Sequence, residues 1–415
     1  MSAEHFPIEP WCLREPVLDL ERLARTESLF TVSNGHVGLR GNLDEGDPHV
    51  LPGSYLNSVY ELRPLPYAES GYGYPESGQS VINVTNGKLM RLLVDDEPFD
   101  VRYGELRRHE RSLDFRAGLL DRQVEWLSPA GQEVQIRSRR LVSLTQRSVV
   151  ALCYEVEPVG APARVVVQSE LVADEELVQL AKGDPRAAAA LSHPLESEEF
   201  SAEGTTGHLV HRTKNSGIRI AAAMDHVVSV PDGVTVDLRA DAVADWARTS
   251  ITCRLEPGQR LTVVKLVAYG WSRRRSLPAV RDQVAAALTA AMAAGWDELV
   301  AEQRDYLDDF WERADVEVDG DPELQQAVRL GLFHVLQAGA RAERRPIAAK
   351  GLTGPGYDGH SFWDTETFVL PVLTHTTPAA AADVLRWRHA TLPMAMERAL
   401  QLGLRGAAFP WRTIN

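Results

Sequence analysis

The stretch Gln123-Val-Glu-Trp-Leu-Ser-Pro-Ala-Gly-Gln-Glu-Val-Gln-Ile-Arg-Ser138 decides the class of fold. Apolar and polar side chains alternate on both sides of Ser128-Pro129-Ala130-Gly131, which predicts a β-hairpin with its apolar side chains on one face. The same two-residue period returns at 148–156, 163–169, 208–211, 218–220 and 234–238, and in the pair 250–255 and 260–268 around Glu256-Pro-Gly-Gln259. Many strands without helical periods between them predict a large antiparallel β-sandwich over residues 1–272. The Ala-rich stretch 186–190 reads as a helical turn inside a long loop.

Beyond Trp271 the period changes. Residues 277–313 are rich in Ala, Leu, Glu and Gln, and Gly295 divides them into two helices. After a short extended piece at 314–318, Asp321 as N-cap and Pro322 at the first helical position open a new helix. Its Leu324, Val328, Leu332 and Val335 form an apolar stripe. Thr377-Pro378 opens another, Pro393 interrupts it and Gly403 can close it. The expected domains are therefore 1–272, a β-sandwich; 273–318, a helical linker; and 319–415, helical, with three or four helices. The chain stops inside Phe409-Pro-Trp-Arg-Thr-Ile-Asn415, whose aromatic character is unlike a solvated tail, so it reads as cut partway through that last domain. Faces such as Leu324/Val328/Leu332 are then expected to be only partly covered.

Composition narrows the function. A 44% hydrophobic chain with the usual 25% of charged residues has ample core and excludes wholesale disorder. The net charge of −14 disfavours nucleic acid, which needs clustered positive charge. The basic groups Arg137/Arg139/Arg140 and Arg273/Arg274/Arg275 are short and read as solvated strand-edge or loop charge. Cys12, Cys153 and Cys253 have no disulfide or zinc spacing, which fits a reducing compartment. The acidic N-terminus is unlike a signal peptide and no run of about 18 apolar residues occurs, so a cytoplasmic protein without a membrane span is expected.

The densest chemical cluster is Gly351-Leu-Thr-Gly-Pro-Gly-Tyr-Asp-Gly-His360 followed by Ser361-Phe-Trp-Asp-Thr-Glu366. Gly354, Gly356 and Gly359 match a dinucleotide fingerprint formally, but a helix and a charged loop precede them, not a strand. These glycines instead let a loop approach a ligand or pass close to a neighbouring helix. Aromatics beside carboxylates suit a sugar, whose C–H face stacks on a ring while its hydroxyls donate to a carboxylate. The competing structural reading makes Ser361 an N-cap, Asp364 its capping-box partner and Trp363 a core residue. Asp364 and Glu366, two residues apart, are poorly spaced for an acid/base pair that must flank a scissile bond. His208 and His211 fall on opposite faces of a strand, and His360, His375 and His389 have no metal-ligand spacing. Asn34-Gly35 reads as a hairpin turn beside a buried-looking Leu29-Phe30.

Two sets of motifs carry a resemblance. Glu27-Ser-Leu-Phe30 with Asn34-Gly-His-Val-Gly-Leu-Arg-Gly41 resembles the N-terminal signature of glycoside hydrolase family 65, which holds maltose, trehalose and kojibiose phosphorylases and related α-glucoside hydrolases. Gly359-His-Ser-Phe-Trp-Asp-Thr-Glu366, Arg388-His-Ala-Thr-Leu-Pro393 and Phe409-Pro-Trp411 resemble its catalytic domain, in order. The resemblance implies an N-terminal β-sandwich, a helical linker and an (α/α)6 barrel, here truncated to its first helices. It implies that Trp363 and Asp364 hold the transferred glucose, that His360 and Phe362 support the pocket wall, and that Trp411 approaches the same pocket. The expected ligand is an α-linked glucose disaccharide, with no cofactor but with inorganic phosphate as co-substrate in a phosphorylase; a homodimer is compatible. The family's general acid is a Glu in a Gly-Pro-Asp-Glu-like stretch downstream of Pro-Trp and is expected beyond Asn415, so this chain alone is expected to be inactive. Arg412 also stands where many members have Glu. A non-catalytic carbohydrate-binding or assembly module is the alternative.

Overall fold

In the hairpin, Val124 faces Ile136 and Trp126 faces Val134 across the strands Leu119–Leu127 and Glu133–Val142. All four side chains are buried while their neighbours in sequence are not, as the two-residue period requires. The structure is a computed structural model that describes residues 6–65, 77–175 and 191–414. Among these, the hairpin lies inside a nine-stranded sheet whose paired strands all run antiparallel. A five-stranded antiparallel sheet, centred on Ala163–Val172, packs its apolar face against it. One continuous core joins Val124, Trp126 and Ile136 of the large sheet to Leu92, Val165, Val167 and Ile251 of the small one.

The strand Val149–Pro158 is apolar at nearly every position because both of its faces are covered. Val150, Leu152 and Tyr154 point into the sandwich core. Val149 and Ala151 point the other way, onto Val280, Val284 and Leu288 of the helix Leu277–Ala314. That helix starts where Ser276 accepts from the Ala279 N–H and is broken at Gly295, whose φ of 75° is left-handed. By length and composition alone it could cross a membrane, with a window of mean hydropathy 1.3; its apolar stripe lies on the sheet instead.

Asp321 caps the helix Pro322–Gly339 by accepting from the Leu324 N–H at 2.9 Å. Leu324 is 49% exposed and Val328, Leu332 and Val335 are half-buried, so the apolar stripe is only partly covered. The face that is buried carries Gln326, Arg329, Leu330, Phe333, Leu336 and Gln337. Its polar members find partners: Gln326 donates to the carbonyls of Pro7 and Cys12, Arg329 pairs with Asp315, and Gln337 Oε1 accepts from the Ser33 N–H. The helices Leu370–Thr376, Pro378–Ala390 and Leu392–Gln401 follow. Leu370–Thr376 and the short helix Leu23–Leu29 in the N-terminal part carry no sequence signal strong enough to have been anticipated. The expected helical turn at 186–190 lies outside the described residues.

Candidate functional site

The Asn34–Gly41 signature forms the seam between sandwich and helices. Asn34 closes the turn between Val32–Ser33 and Val37–Leu39 with its Oδ1, which accepts from the N–H groups of His36 and Val37. Its Nδ2 donates to the carbonyls of Ser143 and Arg147. Ser33 N–H donates to Gln337 Oε1 at 2.6 Å, and Asn57 Nδ2 reaches both the Gly35 and the Pro346 carbonyls. Arg40 pairs with the fully buried Glu27 at 3.1 Å and donates to the Thr353 carbonyl. The signature therefore ties the sandwich to the loop that leads into the chemical cluster.

That loop turns at Gly356–Gly359, where Tyr357, Asp358 and Gly359 all have left-handed φ. A Cβ on Gly359 would fall 2.5 Å from Val81 Cβ, so the close neighbour of this glycine is the strand Ser77–Val81, where the sequence reading offered a ligand or a neighbouring helix. Asp358 is held by Arg63 at 3.0 Å and Arg412 at 3.6 Å. The formal GxGxxG follows a loop and opens no α-helix, so it lacks the strand–turn–helix setting of a nucleotide fold.

Ser361 and Phe362 are strand residues, paired with Thr413 and Arg412. The capping-box reading is thereby overturned: the Ser361 hydroxyl meets Thr365 Oγ1 at 3.2 Å, and Asp364 makes no capping hydrogen bond. Thr365–Val369 follows as a wide helical turn in which the Leu370 N–H bonds to the Thr365 carbonyl. Trp363 is 47% exposed, which removes the core reading of that residue as well.

The strand pair gathers four aromatic rings. Trp411 stands edge-on to Trp363 at 5.4 Å and to Phe362 at 5.8 Å, and Phe362 meets Tyr357 at 5.5 Å. Trp363 Nε1 donates to the Pro410 carbonyl at 2.9 Å. Beside this ledge Asp364 is exposed and has no side-chain partner among the described residues. His360 lies beneath the strand, 5% exposed; burial, reinforced by the Arg412 guanidinium, holds its imidazole below the ordinary range and therefore neutral at pH 7.

Glu366 is a different kind of carboxylate from Asp364. Arg388 Nε donates to its Oε1 at 2.5 Å, which joins the motif around Trp363 to the Arg388–Pro393 segment. Glu366 Oε2, Arg388 Nη2 and His360 Nδ1 are buried polar atoms without a hydrogen-bond partner among the described residues. The sequence-predicted residues His360, Phe362, Trp363, Asp364 and Trp411 thus come together. The sequence reading weighed Glu366 beside Asp364 but did not anticipate Tyr357 in the ledge or the pairing of Glu366 with Arg388, for which the presence of Arg388 in a second motif was the available signal. His208 and His211 each face a separate carboxylate, Glu199 and Asp245, both at 2.9 Å. Among the described residues no three His, Cys, Asp or Glu side chains are grouped for a metal ion.

Residues 13–310 match the glycosyl hydrolase family 65 N-terminal domain and residues 329–415 its central catalytic domain. The chain belongs to glycosyl hydrolase family 65. It is 61% identical, over its whole length and 52% of the relative's, to an uncharacterized glycosyl hydrolase of Mycobacterium tuberculosis. An alpha,alpha-trehalose phosphorylase of Thermoanaerobacter brockii is 32% identical over 99% of this chain and 53% of its own. The fold matches that of a putative kojibiose phosphorylase from the human microbiome with a TM-score of 0.89, at 24% identity over 99% of this chain and 53% of that one. The chain spans about half the length of the curated relatives it matches.

Proposed function

We propose that this chain supplies the sandwich, the linker and the glucose-binding wall of an inverting α-glucoside phosphorylase. The observation that carries the reading is the unpartnered, exposed Asp364 beside the Trp363/Trp411 ledge. Aromatic edges and faces suit the C–H surface of a pyranose, and a free carboxylate suits its hydroxyls. Trp363 and Asp364 hold the transferred glucose, Phe362 and the neutral His360 back the wall, and Trp411 closes one side. Glu366 is engaged by Arg388, so its role is to position the wall and not to shuttle protons.

In the whole enzyme a Glu general acid would protonate the interglycosidic oxygen while inorganic phosphate attacks the anomeric carbon from the opposite face. Phosphate is favoured over water as the nucleophile because named relatives covering nearly all of this chain are phosphorylases. The substrate class is an α-linked glucose disaccharide such as trehalose, kojibiose or maltose. The domain limits are 1–272, 273–318 and 319–415, with the last helices opening an (α/α)6 barrel. Exposed Leu385, Met396 and Leu400 support that reading, since the rest of a barrel would cover them. A cytoplasmic location and a homodimer belong to the same proposal.

The test is Asp364→Asn in the full-length enzyme. It preserves shape and removes a charge-assisted hydrogen bond worth about 1.5 to 3 kcal/mol. Catalytic efficiency on the disaccharide should fall about ten- to hundredfold with an unchanged thermal midpoint. Unchanged kinetics with a lowered midpoint would refute the binding role.

A further inference from the structure

Where the sandwich, the helix Leu277–Ala314 and the loop after Pro322–Gly339 meet, a cavity of about 580 Å³ is lined by Arg147, Arg273, Arg274, Arg275, Arg345 and Trp271. We propose that this cavity is a second site, which binds a small phosphorylated ligand carrying at least two negative charges.

The first argument is charge matching. Arg273, Arg274 and Arg275 are exposed, and elsewhere in the sandwich exposed arginines sit against carboxylates, as Arg137 does with Asp121 and Arg260 with Glu157. In the cavity only Arg147 has such a partner, Glu343 at 3.2 Å. Arg273, Arg274, Arg275 and Arg345 have no carboxylate within ion-pair distance among the described residues. Their contacts are neutral: Arg273 lies over the Tyr60 ring and donates to its hydroxyl, Arg345 lies over Trp271 at 4.5 Å, and Arg275 donates to Gln283. Such contacts orient guanidinium groups without neutralising them. Burial and mutual repulsion also hold the guanidinium groups of Arg147 and Arg345 below their ordinary range.

The second argument is local structure. Ser272 Oγ accepts from the N–H groups of Arg274 and Arg275 at 3.1 and 3.0 Å. This turn brings three consecutive arginines to one cavity, which a continuing strand would have sent to alternating faces. The sequence reading of this run as plain solvated charge did not include Arg147 and Arg345, which arrive from distant parts of the chain. Planar forks converging on one hollow suit phosphoryl oxygens. The concave shape and the net charge of −14 favour a small anion over an extended polyanion, which the rest of the surface repels.

The site differs from the aromatic ledge, whose residues do not line it, yet the two are mechanically joined. Arg147 Nε donates to the Arg341 carbonyl, and Arg341 N–H donates to the Asn34 carbonyl at 2.6 Å. The loop carrying Arg345 continues directly to Ile347, whose carbonyl accepts from Thr365 Oγ1 at 3.3 Å.

Titrating the protein with inorganic pyrophosphate at physiological ionic strength, followed by calorimetry and tryptophan fluorescence, tests the proposal. Saturable single-site binding is expected, weakened about tenfold or more by Arg274→Ser and by Arg345→Gln. Arg239→Gln, on the exposed edge strand Val236–Val243, should leave it unchanged. Arg274 is exposed and makes no side-chain hydrogen bond among the described residues, so its variant keeps the test valid should Arg345→Gln unfold. Absence of saturable binding, or equal weakening by Arg239→Gln and Arg274→Ser, would overturn it.

Discussion

The indole N–H of Trp363 donates to the carbonyl oxygen of Pro410 at 2.9 Å, across 47 residues of chain. That bond and the two-residue strand pair Phe362/Arg412 set Trp411 against Trp363 while leaving Trp411 57% exposed. A ring held this firmly but buried this little contributes little to stability. Trp411→Ala in the full-length enzyme should raise the KM for the disaccharide about tenfold, equivalent to roughly 1.4 kcal/mol, with the melting temperature nearly unchanged. Trp411→Phe should recover part of it. A drop in melting temperature with an unaltered KM would make the ring structural.

Glu27 and Arg40 form a pair inside the seam, with both side chains almost fully buried. The second Glu27 oxygen accepts from the Val50 N–H at 3.0 Å. Glu27→Gln keeps the shape but leaves the Arg40 charge buried and uncompensated, at a cost on the order of 3 kcal/mol. Urea unfolding should show a lower midpoint with the same slope.

Gly38 passes directly beneath Leu352. A Cβ there would come within 2.8 Å of the Leu352 carbonyl oxygen, which is backbone and cannot rotate away. Gly38→Ala should destabilise by about 1 to 3 kcal/mol through overpacking. Because Leu352 belongs to the loop before the aromatic ledge, sugar affinity should weaken too, measurable as a rise in KM. Wild-type stability in this variant would exclude so close a contact.

The sandwich buries titratable groups, among them His226 and Lys265. Burial, then neighbouring Lys265, pushes His226 down from the ordinary 6.5 to about 3; burial pushes Lys265 down from 10.5 to about 7, with Glu170 opposing and Arg140 and Lys88 adding to it. In each case the unfolded chain binds more protons than the native one between the two values. Stability should therefore rise with pH from about 3 to 6.5 through His226, and from about 7 to 10.5 through Lys265. Denaturant midpoints measured against pH should show both rises. Burial lowers Lys88 from 10.5 to about 7 as well, so Lys265→Met should reduce the alkaline rise without abolishing it; an alkaline slope identical to wild type would show that Lys265 stays charged in the fold.

Much of this protein is written locally. The alternation through Val124, Trp126, Val134 and Ile136 sets which side chains face inward, because a strand has only two faces. Asp321-Pro322 and Thr377-Pro378 mark helix starts, since a cap and a ring-locked φ act within one turn of chain. Phe362, Trp363 and Trp411 of the aromatic ledge were legible as motif letters; Tyr357 was not.

Which faces are buried was decided elsewhere. The helix Pro322–Gly339 hides Gln326 and Arg329 and leaves Leu324 half in solvent, because Pro7, Cys12 and Asp315 bring polar partners to one side of it. Ser361 is a strand residue and not a cap because Thr413 arrives from far along the chain to pair with it. Arg273, Arg274 and Arg275 line a cavity only once Arg147 and Arg345 are folded beside them. Sequence by itself determined the periodic strands, the capped helix starts and the family motifs, through interactions of residues within a turn or a pleat. Burial, ion pairing and the meeting of Trp363 with Trp411 depend on groups distant in the chain, and only the tertiary structure brings those within reach.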